Sequence, residues 1–242
     1  EGRSIDTVFE IDGGISNYLL SKDGKSIYVI TSEWSKEFKD IEDKNSEPMY
    51  YENLPFRFDT RGIIYNKRAH VYKVNIQTKK FSKIIDGDTK EIISIESLVE
   101  GDGGLMLSFD QYNSEGTMLE EKIGAIEGSK IKEIYSKGSM GNLFYYEDGL
   151  HAVGMRKRFD WPTNTTFLKI SKEGKVSFKY HSFDRNIVKA EVNESILYFL
   201  YEDSGKTLLR DGTNNIDLIN SEITIKDFAF NNGKTYVIAN SF

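Results

Sequence analysis

Apolar and polar positions recur along this chain as one unit, met five times. Residues 15–31, ISNYLLSKDGKSIYVIT, run from an alternating stretch through Lys22-Asp23-Gly24-Lys25 into a near-continuous apolar run, Ile27 to Ile30. Asp-Gly between two such runs is a hairpin signal, because both residues tolerate the backbone of a tight turn. The pattern returns at 92–110, turning at Asp102-Gly103-Gly104, and at 140–156, turning at Asp148-Gly149. It returns again at 187–203, turning at Asn193-Glu194, and at 225–241, turning at Asn232-Gly233. More polar hairpins lie between: 70–85, 123–136, 166–182 and 207–221. Each unit is therefore an apolar hairpin followed by a polar one, four strands in all.

The units start near 15, 92, 140, 187 and 225. Their later spacings, roughly 38 to 48 residues, are those of four-stranded propeller blades. Solid apolar runs such as ILYFLY (196–201) predict strands covered on both faces, and alternating runs predict strands with one wet face. The expected fold is all-β, a β-propeller of four-stranded antiparallel blades with about five units. A β-sandwich is the rival, since it too gives short strands at regular spacing. The expected inner strands include 26–31, 105–110, 150–155, 196–201 and 235–240. The final hairpin lacks an outer pair, and the opening strand, 3–11, lacks inner partners, so the two are expected to share a blade.

The first interval is too long by about 28 residues, the excess being an insertion at 33–62 within an otherwise single domain over 1–242. Trp34, Phe38 and Ile41 share one helical face, so the insertion opens with a short helix, with Lys36–Asp40 and Lys39–Asp43 as exposed pairs. Residues 88–98 read as a loop leading into a strand. The insertion closes on Leu54 to Gly62, LPFRFDTRG, and a strand-like HVYKVN follows at 70–75. Two aromatics flank Arg57, so ring faces are available to its guanidinium, and Asp59 and Arg61 are available for forked charge pairs. Arg57, Phe58, Asp59 and Arg61 are the candidate site. They read either as a structural plug or as a contact with substrate or a second domain.

This motif with HVYKVN resembles the N-terminal propeller of the prolyl oligopeptidase superfamily, in its acylaminoacyl-peptidase and dipeptidyl-peptidase-like branch. Members often read Leu-Pro-Phe-Arg-Phe-Asp-Gly-x-Gly here; Thr60 stands in place of the first of those glycines, which alters the turn. The resemblance has sequence specificity only over 54–75. It implies a propeller cap over an α/β-hydrolase domain of the same polypeptide, a cytoplasmic serine peptidase acting on short peptides. The chain then reads as the middle and end of a propeller.

Composition narrows the chemistry. With 13 % aromatic residues and 38 % hydrophobic ones the chain has ample core. A net charge of −6 gives no reason to expect nucleic acid or an anionic membrane as partner. The absence of cysteine excludes thiolate catalysis and disulfides. Gly138-Ser139-Met140-Gly141 lacks the spacing of a nucleophile elbow, and Asp23-Gly24-Lys25-Ser26 lacks the upstream glycine of a phosphate loop. His70, His151 and His181 are far apart and read as strand residues with backbone partners. No catalytic residue, metal site or cofactor is expected in this chain, so the chain by itself is not expected to be an enzyme. The leading reading is the non-catalytic, access-gating portion of a peptidase. A stand-alone binding propeller and a propeller glycosidase are the alternatives.

Overall fold

The computed structural model describes residues 9–11, 13–39, 50–58, 62–101, 103–147, 149–155, 164–179, 183–219, 223–231 and 233–241. The chain forms two compact units, Glu1–Ser136 and Lys137–Phe242.

In the first unit, β1 (Gly14–Leu20) and β2 (Ser26–Trp34) are followed by α1 (Lys36–Lys39) and a small ribbon of β3 (Arg57–Phe58) and β4 (Gly62–Ile63). The chain then completes the first sheet with β5 (Lys67–Asn75) and β6 (Phe81–Ile85), passes α2 (Gly87–Lys90), and forms β7 (Ile92–Gly101), β8 (Gly104–Tyr112), β9 (Leu119–Glu127) and β10 (Lys130–Tyr135). The second unit holds β11 (Ser139–Tyr146), β12 (Gly149–Met155), β13 (Thr166–Ile170), β14 (Val176–Lys179), β15 (Ile187–Asn193), β16 (Ile196–Asp203), β17 (Lys206–Asp211), β18 (Ile216–Asp217), β19 (Ile223–Asn231) and β20 (Lys234–Ser241).

Among the described residues there are four sheets of four antiparallel strands, ordered β1-β2-β5-β6, β7-β8-β9-β10, β11-β12-β13-β14 and β15-β16-β17-β18. Each is a meander of successive strands, the blade unit of a propeller, with no strand exchange of the kind a sandwich uses. The hairpin β19–β20 has no third strand among the described residues. The expected pairing of 3–11 with it falls on residues 1–8, outside the described residues, while Phe9–Ile11 carry no strand.

The apolar runs occupy the second position of each meander. Val29 and Ile30 of β2, Leu107 of β8, Ala152 of β12 and Leu200 of β16 are buried with hydrogen-bonded strands on both sides. In the first unit Tyr28, Ile30, Ala69, Val71 and Ile85 pack against Ile92, Ile95, Leu98, Leu107 and Phe109 of the second sheet. Each large side chain buried in this way contributes about 1.5–3 kcal/mol. In the second unit Phe144, Phe167, Phe199 and Tyr201 form an aromatic core, with Phe167 edge-on to Phe199 at 5.1 Å.

Three local expectations change. Residues 88–98 are not mainly loop: Asp86 caps α2 by accepting the Asp88 N–H, Glu91 ends that turn in the left-handed region, and β7 begins at Ile92. The turn placed at Asp148-Gly149 falls one residue earlier, since Tyr146 pairs with Gly149 and Glu147 takes φ 54°. Likewise Asn193 pairs with Ile196, which puts Glu194 and Ser195 in the turn. In both cases strand register, rather than the best turn residue, decides the corner. The helix expected from Trp34 is the single turn α1; Asp40, Ile41 and Asp43 lie outside the described residues. No helix among the described residues is long and apolar enough to cross a membrane.

Candidate functional site

In the first unit the strand ends differ. One end carries short turns, and the other carries the insertion, α2 and the 113–118 loop.

The insertion returns to the sheets on aromatic residues. Tyr51 stacks on Phe56 with centroids 4.5 Å apart, meets Tyr65 edge-on at 5.5 Å, and Tyr65 in turn contacts Tyr112 of β8 at 6.3 Å. Backbone bonds fix the same segment: the Tyr112 hydroxyl donates to the Pro55 carbonyl at 2.7 Å, Leu54 N–H to Gly116 O at 2.7 Å, and Ile64 N–H to Phe56 O at 2.9 Å. Burial pushes the Tyr112 hydroxyl up to about 12, with Arg68 opposing weakly. It stays a neutral donor.

Arg57 and Phe58 pair with Ile63 and Gly62 in the β3–β4 ribbon. Arg57 is exposed, and among the described residues its guanidinium meets neither a carboxylate nor an aromatic ring. The expected stacking of Arg57 is therefore not found there. The ring that stacks is Phe56, on Tyr51. Asp59 and Arg61 lie outside the described residues.

A cavity of about 410 Å³ opens at this end of the first unit, between the first and second sheets. From the first sheet come Ser16 and Asn17 of β1, Thr31 and Ser32 of β2, and Lys67 and Ala69 of β5. Residues 93–96 of β7 supply the opposite wall, and Ile64 closes it from the insertion. The β1–β2 ladder skips Ser16, and the β7–β8 ladder skips Ile93 and Glu96. Such bulges break the alternation of a strand and re-aim side chains. Three lining residues are therefore bulge residues. The Lys67 ammonium sits 5.7 Å over the Trp34 ring and has no carboxylate within ion-pair reach among the described residues.

A second polar group lies beside the cavity on β2 and β5, where Thr31 pairs with His70. His70 is buried, its Nδ1 accepting the Gly87 N–H at 3.0 Å, with Asp86 Oδ1 3.2 Å away and Glu33 Oε2 3.8 Å from Nε2. Glu33 also accepts from Thr31 and from the Tyr72 hydroxyl. Burial holds His70 below the usual imidazole range, helped by Lys83 and opposed by Glu33, Asp86 and Asp88. Nδ1, Asp86 and Asp88 lie close enough for cation ligation, but the Nδ1 lone pair already accepts the Gly87 N–H. The arrangement is thus a capping network that ties α2 to β5. Sequence reading anticipated the backbone partner of a strand histidine and missed the Asp86-Gly87-Asp88 turn that supplies it. His151 also has one, with Nδ1 3.1 Å from Gly149 O, and His181 lies outside the described residues.

No protein-family model matches the chain, and no curated protein does. Solved structures do. An orthorhombic crystal form of acylaminoacyl peptidase from Pyrococcus horikoshii overlays with a TM-score of 0.69 at 10 % identity, covering 93 % of this chain and 34 % of that one. An acylaminoacyl peptidase in complex with Z-Gly-Gly-Phe-chloromethyl ketone gives 0.67 at 12 % identity, over 95 % of this chain and 35 % of that one. The uncomplexed Pyrococcus horikoshii enzyme gives 0.65 at 12 % identity, over 91 % and 34 %. The chain spans about a third of the length of these peptidases. What it shares with them is a fold, the all-β fold of their propeller region.

Proposed function

We propose that this chain is the non-catalytic propeller portion of an acylaminoacyl- or oligopeptidase-type serine peptidase of the cytoplasm, governing access of short peptides to a hydrolase domain of the same polypeptide. The observation that carries the reading is the fold likeness of nearly the whole chain to one part of acylaminoacyl peptidases. The LPFRFDTRG segment adds to it. A cap of this kind excludes bulky substrates and keeps the hydrolytic chemistry from bulk water.

In this reading Arg57, Phe58, Asp59 and Arg61 face the hydrolase domain or its substrate. Arg57 is suited to that role because it is exposed and has no internal carboxylate among the described residues, so its guanidinium is available to an oxygen acceptor from outside. The test is made on the natural polypeptide that contains this chain. Acylated di- and tripeptides should be hydrolysed in a reaction stopped by a serine-directed inhibitor, and the rate should fall as the peptide lengthens. The 242-residue chain by itself should give no turnover. A polypeptide with no Gly-x-Ser-x-Gly segment and no hydrolysis would leave the cavity in the first unit as the basis of a binding propeller instead.

A further inference from the structure

We propose that the cavity between the first two sheets binds the free C-terminal carboxylate of a short peptide, with Lys67 as its counter-ion. The proposal stands whether or not the chain belongs to a peptidase.

A volume of about 410 Å³ falls at the small end of ligand pockets, which run from roughly 300 to 1,000 Å³. It is large enough for two or three residues and too small for a folded partner. Its lining is divided by chemistry. Ile64, Ile93 and Ile95 give one apolar side, with Ile93 and Ile95 themselves buried. The first sheet presents hydrogen-bond donors: the Ser32 hydroxyl, the Asn17 side-chain amide and the Lys67 ammonium. Glu96 lies on the β7 wall as an acceptor for peptide N–H groups.

Lys67 is the cation among the lining residues and faces Glu96, the anion of the opposite wall, so a peptide's carboxylate and its N–H groups have separate partners. Other lysines of the described residues are held by carboxylates, Lys122 by Glu133 at 3.3 Å and Lys189 by Asp227 at 2.6 Å. Lys67 instead sits over an aromatic face beside the cavity, with no anion within reach among the described residues. A ring supports a cation without neutralising it. A carboxylate entering the cavity gains a charge-assisted bond to the ammonium of this half-buried residue. The bulge residues Ser16, Ile93 and Glu96 belong to the same walls, so the irregularities of both ladders meet at this cavity.

Trp34 provides the readout. It is half-exposed and lies beside Lys67, and the chain's other tryptophan, Trp161, is removed by Trp161→Phe. Ala-Ala-Leu with a free C-terminus is titrated into the 242-residue chain, with Ala-Ala-Leu-amide and acetate as comparisons. The free acid should change Trp34 emission with saturation, and the amide should bind at least about tenfold more weakly. Acetate should compete at much higher concentration. Lys67→Met should reduce the free acid to the level of the amide, while Lys67→Arg keeps the preference. Circular dichroism and melting temperature of the variants confirm that the fold persists. Equal binding of acid and amide, or no saturable change up to about 10 mM, or an undiminished acid preference in Lys67→Met, overturns the proposal. A failure of peptide hydrolysis by the parent polypeptide leaves it standing.

Discussion

The two ends of the sheets in the first unit are finished by different physics. At the plain end the β1–β2 turn is held by its own residues: Ser21 Oγ and Lys25 N–H both donate to Asp23 Oδ1, and Ser26 N–H donates to Ser21 Oγ. Lys79 and Gly128 take positive φ in the next hairpin turns. Longer-range bonds also occur here, from Lys22 N–H to Glu100 of the neighbouring hairpin and from Ile76 N–H to the Lys25 carbonyl. The elaborated end has local bonds too, such as Met118 N–H to Asn113 Oδ1 and Asp88 N–H to Asp86 Oδ1, but it adds long-range side-chain bonds. Lys36 N–H reaches Asp88 across 52 residues, Tyr112 reaches Pro55 across 57, and Tyr72 reaches Glu33 across 39. Local turns cost little entropy to close and tolerate change. Long-range ends exist only once the sheets are in place, and irregular backbone held in this way is where binding surfaces are commonly built.

That contrast is open to attack by substitution, most severely at glycine. A Cβ on Gly87 would lie 2.1 Å from the Ala69 carbonyl oxygen, backbone that cannot step aside. Gly87→Ala should cost about 3 kcal/mol in a denaturant titration, at the upper end for overpacking. Gly24 at the plain end has φ +68° and open space around it, so Gly24→Ala should cost only about 1 kcal/mol from backbone strain. Equal losses would show that the two ends do not differ.

The next effect is functional. In the parent polypeptide Arg57→Ala should lower kcat/KM by about ten- to a hundred-fold, as expected for loss of one charge-assisted contact. The melting temperature should hold, because Arg57 makes no internal ion pair among the described residues. Preserved activity with a lowered melting temperature would make the segment a structural plug.

Tyr112→Phe removes the bond to Pro55 and should cost about 1 kcal/mol. Amide exchange should quicken at Leu54 and Ile64 more than at Lys25. The pH arm has a defined sign. The folded Tyr112 hydroxyl ionises near 12 and the unfolded one near 10, so above about 10 the unfolded state binds fewer protons and stability falls as pH rises toward 12. Tyr112→Phe should flatten part of that decline.

The smallest effects are the acid limbs. His70 is held below its usual value near 6.5, first by burial, so the unfolded state binds the extra proton. Stability is full above that value and is lost as pH falls below it toward the folded pKa, with Glu33, Asp86, Asp88 and Lys83 around the ring. His70→Gln should flatten this limb in melting temperature measured between about pH 7 and 5. Asp23, fully exposed, is lowered by the Ser21 hydroxyl and the Lys25 N–H. Its contribution is present above the unfolded value of 3.8 and lost at lower pH. Asp23→Asn should change the melting curve below pH 4 least of all the variants.

The sequence by itself determined the repeat. Strands expected to open near 15, 92, 140, 187 and 225 open at Gly14, Ile92, Ser139, Ile187 and Ile223. They were legible because a strand's apolar period and its flanking turn residues are local properties. The ring cluster around Phe56 was half legible: the aromatics were visible in LPFRF, but which ring stacks on which depends on Tyr51, Tyr65 and Tyr112 from three separate segments. Burial was not legible at all for β20. Its Tyr236, Val237 and Ile238 read like the Leu197, Phe199 and Leu200 of β16, yet the first three are exposed and the second three are buried. An apolar run announces a strand, but its burial is supplied by neighbours, and β16 has a strand on each side while β20 has only β19 among the described residues. The cavity belongs wholly to tertiary structure. Ser16, Lys67 and Glu96 lie on three strands with nothing in their spacing to join them, and two of them are ladder bulges that line the same space. A bulge is a mismatch between two strands, so neither strand's sequence contains it alone.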